Sequence, residues 1–106
     1  MFARNVSVHL KTNMLSDYTR TVQNDVLPLL RKQNGFQDEI TFSSPNGTEV
    51  TAISLWDNRA SAEAYNSVGY AEVLKTLANV IDGTPKVQTG EVGNSTFHNI
   101  AATVAA

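Results

Sequence analysis

Residues 49–57 read Glu49-Val50-Thr51-Ala52-Ile53-Ser54-Leu55-Trp56-Asp57. The period is two, so the stretch is a strand with two faces, Val50/Ala52/Ser54/Trp56 and Thr51/Ile53/Leu55. Neither face is strongly polar. A sheet strand of this kind needs cover on both sides. Helices from the same chain cover one side. The simplest cover for the other is a second copy, so the fold is expected to include a homodimer.

Upstream, Ser44-Pro45-Asn46-Gly47-Thr48 is a turn, since Asn-Gly takes positive φ readily. Before it, Phe36 to Ser44 reads as a strand with Phe36, Ile40 and Phe42 on one face. Gly35 is the natural stop of a preceding helix. That helix carries Tyr18, Val22, Val26, Leu29 and Leu30 on one side, with Ser16 as the expected N-cap. Pro28 lies inside it and is expected to remove the bond to the Asn24 carbonyl and bend the helix. Residues 2–11 alternate again. Val6, Val8 and Leu10 share one face; Asn5, Ser7 and His9 share the other.

Downstream, Asp57 or Asn58 caps a helix from Arg59 to about Ser67, and Gly69 is expected to interrupt it. Tyr70, Val73, Leu74, Leu77 and Ile81 continue at helical spacing until Asp82-Gly83-Thr84-Pro85. Residues 86–98 form a last strand with a bend near Gly90 and Gly93. The order β-α-β-β-α-β predicts an α+β, ferredoxin-like, four-stranded antiparallel sheet with both helical segments on one face. All 106 residues make one domain, with residues 98–106 as a small-residue tail.

Bulk composition narrows the function classes. The net charge is −2 and the charges are well mixed, which excludes the basic stripe of a nucleic-acid binder. There is no cysteine, so disulfides, thiolate metal sites and cysteine nucleophiles are all removed. The first residues, Met1-Phe2-Ala3-Arg4-Asn5, lack a signal-peptide core, and no run approaches the ~20 apolar residues of a membrane span. A cytoplasmic location is expected, with the N-x-S/T matches at Asn5, Asn46 and Asn94 as chance.

The pattern resembles the antibiotic biosynthesis monooxygenase domain, a dimeric α/β-barrel family. The residues that carry this are Val6-Ser7-Val8-His9-Leu10-Lys11, Val26-Leu27-Pro28-Leu29-Leu30-Arg31-Lys32-Gln33-Asn34-Gly35-Phe36, and Ser54-Leu55-Trp56-Asp57-Asn58 running into Ala62-Glu63-Ala64-Tyr65. Their order and spacing cover about residues 2–98. The resemblance implies a homodimer in which two sheets close into a barrel, and a pocket in each subunit between sheet and helices. It also implies a monooxygenase that oxidises small aromatic or electron-rich molecules with no cofactor, neither metal nor flavin. The alternative of the same fold is a non-catalytic dimeric binding or structural protein. In the haem-degrading branch, the expected strand Asn, helix Trp and axial His fall near Asn5 or Val6, at Tyr65 and at Lys75. Losing that His removes the axial ligand, so haem is not expected.

Trp56 and Tyr65 are the leading candidate catalytic residues, with Asn5 as a third. Strand end and helix bring the two rings to one pocket mouth, where they supply flat apolar walls, an N–H and an O–H. Core or dimer packing is the plain alternative for both. His9, Phe42, Tyr70 and Leu74 are candidate binding residues. His9 and His98 are the only histidines and either fits a general base, His9 also serving an isomerase or lyase of this fold. Two distant histidines without a matched carboxylate point to no metal site.

Overall fold

The structure is a computed structural model and describes residues 1–98. The element order is β1 (Phe2–Leu10), α1 (Leu15–Thr21), a π-helical segment (Val22–Val26), α2 (Leu27–Arg31), β2 (Phe36–Ser43), β3 (Glu49–Trp56), α3 (Arg59–Leu77) and β4 (Ile81–Glu91). The strands form one antiparallel sheet in the order β2-β3-β1-β4. This is the α+β, ferredoxin-like arrangement that the sequence predicts. The expectations placed on residues 99–106 fall outside the described part.

The two central strands set the layers. Antiparallel partners share a face, so Phe2, Val6 and Val8 of β1 lie beside Trp56, Ala52 and Val50 of β3. This face meets Tyr18, Val22, Val26 and Leu30 of the first helical run and Ala62, Tyr65, Val73 and Leu77 of α3, all buried in one core. The opposite face carries Asn5, Ser7, His9, Thr51, Ile53 and Leu55. Among the described residues no helix is long and apolar enough to cross a membrane.

Several local readings are corrected. The first helix starts at Leu15, and its N-cap, Met14, makes no side-chain cap bond; Ser16 lies inside the first turn. Pro28 lies inside one continuous helical run from Leu15 to Arg31, directly after the π segment, whose wider turn accommodates its missing N–H. Phe36 does not share a face with Ile40 and Phe42. A register shift between Phe36 and Asp38 turns Phe36 toward Trp56, while Ile40 and Phe42 point to the open face, 49% and 55% exposed.

Gly69 does not interrupt α3, which runs unbroken for 19 residues. It ends at Leu77, so Ile81 belongs to β4. Gly83 and Pro85 do not stop a helix either. They sit in a β4 irregularity, where Ser7 pairs with Lys86 and His9 with Asp82, and Gly83 takes φ +81°. The bend expected near Gly90 and Gly93 is therefore at residues 83–85 instead.

Candidate functional site

The site is built around Trp56, the last residue of β3. It is fully buried, and its Nε1 donates to Ser54 Oγ at 2.9 Å. Asp57 N–H donates to the Gly35 carbonyl at 2.8 Å, which ties the end of β3 to the turn before β2. Asn58 then caps α3, its side chain accepting from the Ser61 N–H at 2.9 Å. From that start Tyr65 lies on the sheet-facing side of α3. Its ring stacks on Trp56 with centroids 4.9 Å apart and planes 26° apart. Phe36 meets Trp56 edge-on at 5.5 Å, and Tyr70 lies 6.2 Å from Tyr65. Gly69 explains the closeness: a Cβ there would lie 2.8 Å from the Tyr65 ring.

Arg4 joins this aromatic row from β1. Its guanidinium carbon lies 4.4 Å from the Tyr70 ring centroid and 5.3 Å from that of Tyr65. Its Nη2 donates to Asn66 Oδ1 at 2.7 Å, and the side chain is 3% exposed. It stands outside the apolar pattern of β1. The signal was an arginine two places before Val6, hence on the inward side of an alternating strand.

Below the row, between the sheet and both helical runs, is a cavity of about 60 Å³. Leu74, Val73 and the β1 valines make it apolar; Tyr18, Glu39, Ser54 and Tyr70 supply its polar groups. A groove of about 580 Å³ opens between α1 and the edge strand β2 and shares Tyr18, Val22 and Glu39 with the cavity. Phe42 lines the groove. Burial pushes the Tyr18 hydroxyl up to about 12, helped by the nearby Glu39 and Tyr70. Burial also raises Tyr65 to about 12, against an opposing pull from the Arg4 charge, and raises Tyr70 against the same charge. These hydroxyls are therefore donors at neutral pH. Burial raises Glu39 above the ordinary carboxylate value, partly offset by a hydrogen bond from Thr41. A carboxyl so placed suits proton transfer better than an exposed one.

The sequence-predicted residues divide in two. Trp56 and Tyr65 meet as a buried stack and line no cavity, so they form no pocket mouth; Tyr70, beside Tyr65, and Leu74 do line the cavity. Asn5 and His9 do not join them. Asn5 pairs with Ile53 and Gln88 on the open face, and His9 Nδ1 lies there 3.4 Å from Glu49. Alternation along β1 fixes this, since each is one residue away from an inward position. His98 also lies outside the cavity, against Asp38 at the edge of the open face. Lys75 is exposed on α3. Among the described residues no cluster of three His, Asp or Glu is arranged to hold a metal. Glu39, Tyr18 and Ser54 were missed because only β2 and β3 pairing, with the shift after Phe36, turns Glu39 inward beside Ser54.

No protein-family model and no curated protein matches this chain. Solved structures do. A cofactor-independent oxygenase, SnoaB of Streptomyces nogalater in a mutant form, superimposes with a TM-score of 0.74 at 9% identity over 90% of this chain and 95% of its own. A monooxygenase from the gene ActVA-Orf6 of Streptomyces coelicolor, in complex with nanaomycin D, gives 0.74 at 18% identity over 86% of each chain. A protein provisionally described as an antibiotic biosynthesis monooxygenase from Nitrosomonas europaea gives 0.70 at 16% identity over 87% of this chain and 98% of its own. Identities this low speak to architecture alone. The fold of this chain is that of the antibiotic biosynthesis monooxygenases.

Proposed function

We propose that the chain is a monooxygenase that acts on a small electron-rich aromatic molecule without metal or flavin. The observation that carries this is the placing of Glu39, Tyr18 and Tyr70 around one apolar space at the inner end of a groove large enough for fused rings. The fold it shares with a cofactor-independent oxygenase, and with a monooxygenase that binds nanaomycin D, supports it.

The chemistry follows from the groups present. Glu39 takes a proton from an acidic ring methylene or phenol. The tyrosine hydroxyls hold the resulting oxyanion, and Trp56 and Tyr65 pack behind Tyr70, outside the cavity lining. The anion gives its electrons to dioxygen. For a methylene substrate one oxygen atom becomes the new carbonyl and the other leaves as water, so the substrate supplies all four electrons that reduce dioxygen. The pair of chains closing over Ile40, Phe42, Ile53 and Leu55 is part of the same reading, and light scattering should give twice the 11.5 kDa chain mass.

The test is oxygen uptake with a panel of anthrones and hydroquinones. Turnover should fall by about 10²–10⁴ in Glu39→Gln, the usual worth of a general base, and fall also in Trp56→Phe/Tyr65→Phe. No uptake above buffer by the wild type removes the proposal. A second reading, a non-catalytic binding or structural protein, draws on the cavity size: about 60 Å³ holds no substrate of this class unless the groove opens inward. An isomerase using His9 loses its footing, because His9 lies on the opposite face of the sheet.

A further inference from the structure

Arg4 is a buried cation without a charged partner. The side chain is 3% exposed, and among the described residues no Asp or Glu oxygen lies within 4.0 Å of it. A guanidinium carries five N–H donors in a planar fork. Asn66 Oδ1, a neutral partner, takes one at 2.7 Å. Buried charges are paired as a rule, because desolvation is costly. The faces of Tyr65 and Tyr70 compensate only part of that cost.

The guanidinium, with no charged partner among the described residues, lies beside an opening. A cleft of about 280 Å³ runs between the first turns of α3 and the β4 edge of the sheet, lined by Phe2, Arg4, Arg59, Glu63, Asn66 and Thr89 among others. It is at the far edge from the α1–β2 groove, since β2 and β4 are the two outer strands. Arg59 is already engaged by Glu63, Nε to Oε1 at 2.7 Å, and also has Glu91 nearby, so the free positive charge lining the cleft is that of Arg4. That balance suits a singly charged anion; a doubly charged phosphate would meet Glu63. A planar pair of oxygens fits the guanidinium fork, with the Thr89 hydroxyl and the Asn66 amide as further donors.

We propose that this cleft binds the carboxylate of a small organic acid, with Arg4 as its anchor. The cleft opens at the other edge of the sheet from the α1–β2 groove, although Arg4 also packs on Tyr65 and Tyr70, and binding there requires no turnover.

The test is titration of the full chain with sodium acetate and sodium benzoate at constant ionic strength, read by amide nitrogen–proton NMR, with inorganic phosphate in a parallel arm. Saturable shifts centred on the Asn66 side chain and Thr89 are expected. Arg4→Lys keeps the buried charge and loses the fork, and should weaken binding roughly ten-fold or more; Arg4→Met should abolish it. If Arg4→Met does not fold, Arg4→Lys and Asn66→Ala carry the comparison. Three results would each overturn the proposal. One is no saturation by about 10 mM, where even a millimolar site is mostly filled. The second is unchanged affinity in Arg4→Lys. The third is phosphate binding more tightly than either carboxylate.

Discussion

Replacing Gly69 by alanine sets two known effects against each other. In an ordinary helix interior the change is stabilising by ~0.8–1 kcal/mol, because alanine loses less backbone entropy. Here the new Cβ would lie 2.8 Å from Cδ1 and 3.0 Å from Cε1 of Tyr65, and 3.4 Å from Gln33 Oε1. The Gln33 atom ends a flexible side chain and gives way. The Tyr65 ring does not, because it is buried and stacked on Trp56. Overpacking of this kind costs ~1–3 kcal/mol. The packing cost therefore exceeds the propensity gain, and the variant should be less stable by about 1 kcal/mol. For a domain near this size that lowers Tm by roughly 4–8 °C. Urea unfolding followed by the fluorescence of the single tryptophan, Trp56, reads the stability and the ring stack together. A variant more stable than the wild type by ~1 kcal/mol, the value for an unencumbered helical glycine, would refute the close contact.

Gly35→Ala meets two penalties, φ +81° and a Cβ driven into Asp57 and Ser61, and should lose about 2–3 kcal/mol in chemical unfolding. Ser54→Ala leaves the buried Trp56 N–H without its acceptor; a loss of ~1–3 kcal/mol is expected, and one under ~0.5 kcal/mol would mean the indole finds another partner. Glu39→Gln tests the raised carboxyl. Its folded pKa lies above the ordinary 4.5, so the charged form opposes folding, and that burden fades as pH falls through the raised value. Glu39→Gln should be more stable than the wild type at neutral pH, with the gap closing toward pH 4.5. A gap that does not change with pH would contradict the burial of Glu39.

Much of the frame was legible because it rests on period. The alternation in β1 and β3 gave their faces, and the step from Trp56 to Tyr65 brought the two rings together, though as a buried stack and not at a pocket mouth. What failed were residues whose meaning depends on neighbours distant in sequence. Gly69 reads as a helix breaker until Tyr65 is seen lying across it. Gly83 and Pro85 read as a terminator until β1 pairs on both sides of them. Phe36 reads with Ile40 because a one-residue register shift leaves no local mark. Arg4 was passed over because the hydrophobic pattern of β1 is clear without it. Its burial depends on Asn66 and Tyr70, more than sixty residues away.

The π-helical turn gives the first helical run one surplus residue. Tyr18, Val22, Val26 and Leu30 all face the core, yet they are spaced four, four and four. In a straight α-helix each step of four overshoots by about 40°, so the last would stand roughly 120° from the first. The turn in which Leu27 N–H donates to the Val22 carbonyl absorbs the excess and keeps the four side chains in line. The residues that make the loop of that turn, Gln23, Asn24 and Asp25, are all exposed. Deleting one of them would convert the spacing to four, three and four, which an α-helix holds on one face, but it would leave Pro28 inside an unbroken α-helix, where its ring meets the carbonyl four residues back. The surplus residue thus serves both the core register and the proline, and Gln23 and Asn24 place it on the wall of the α1–β2 groove.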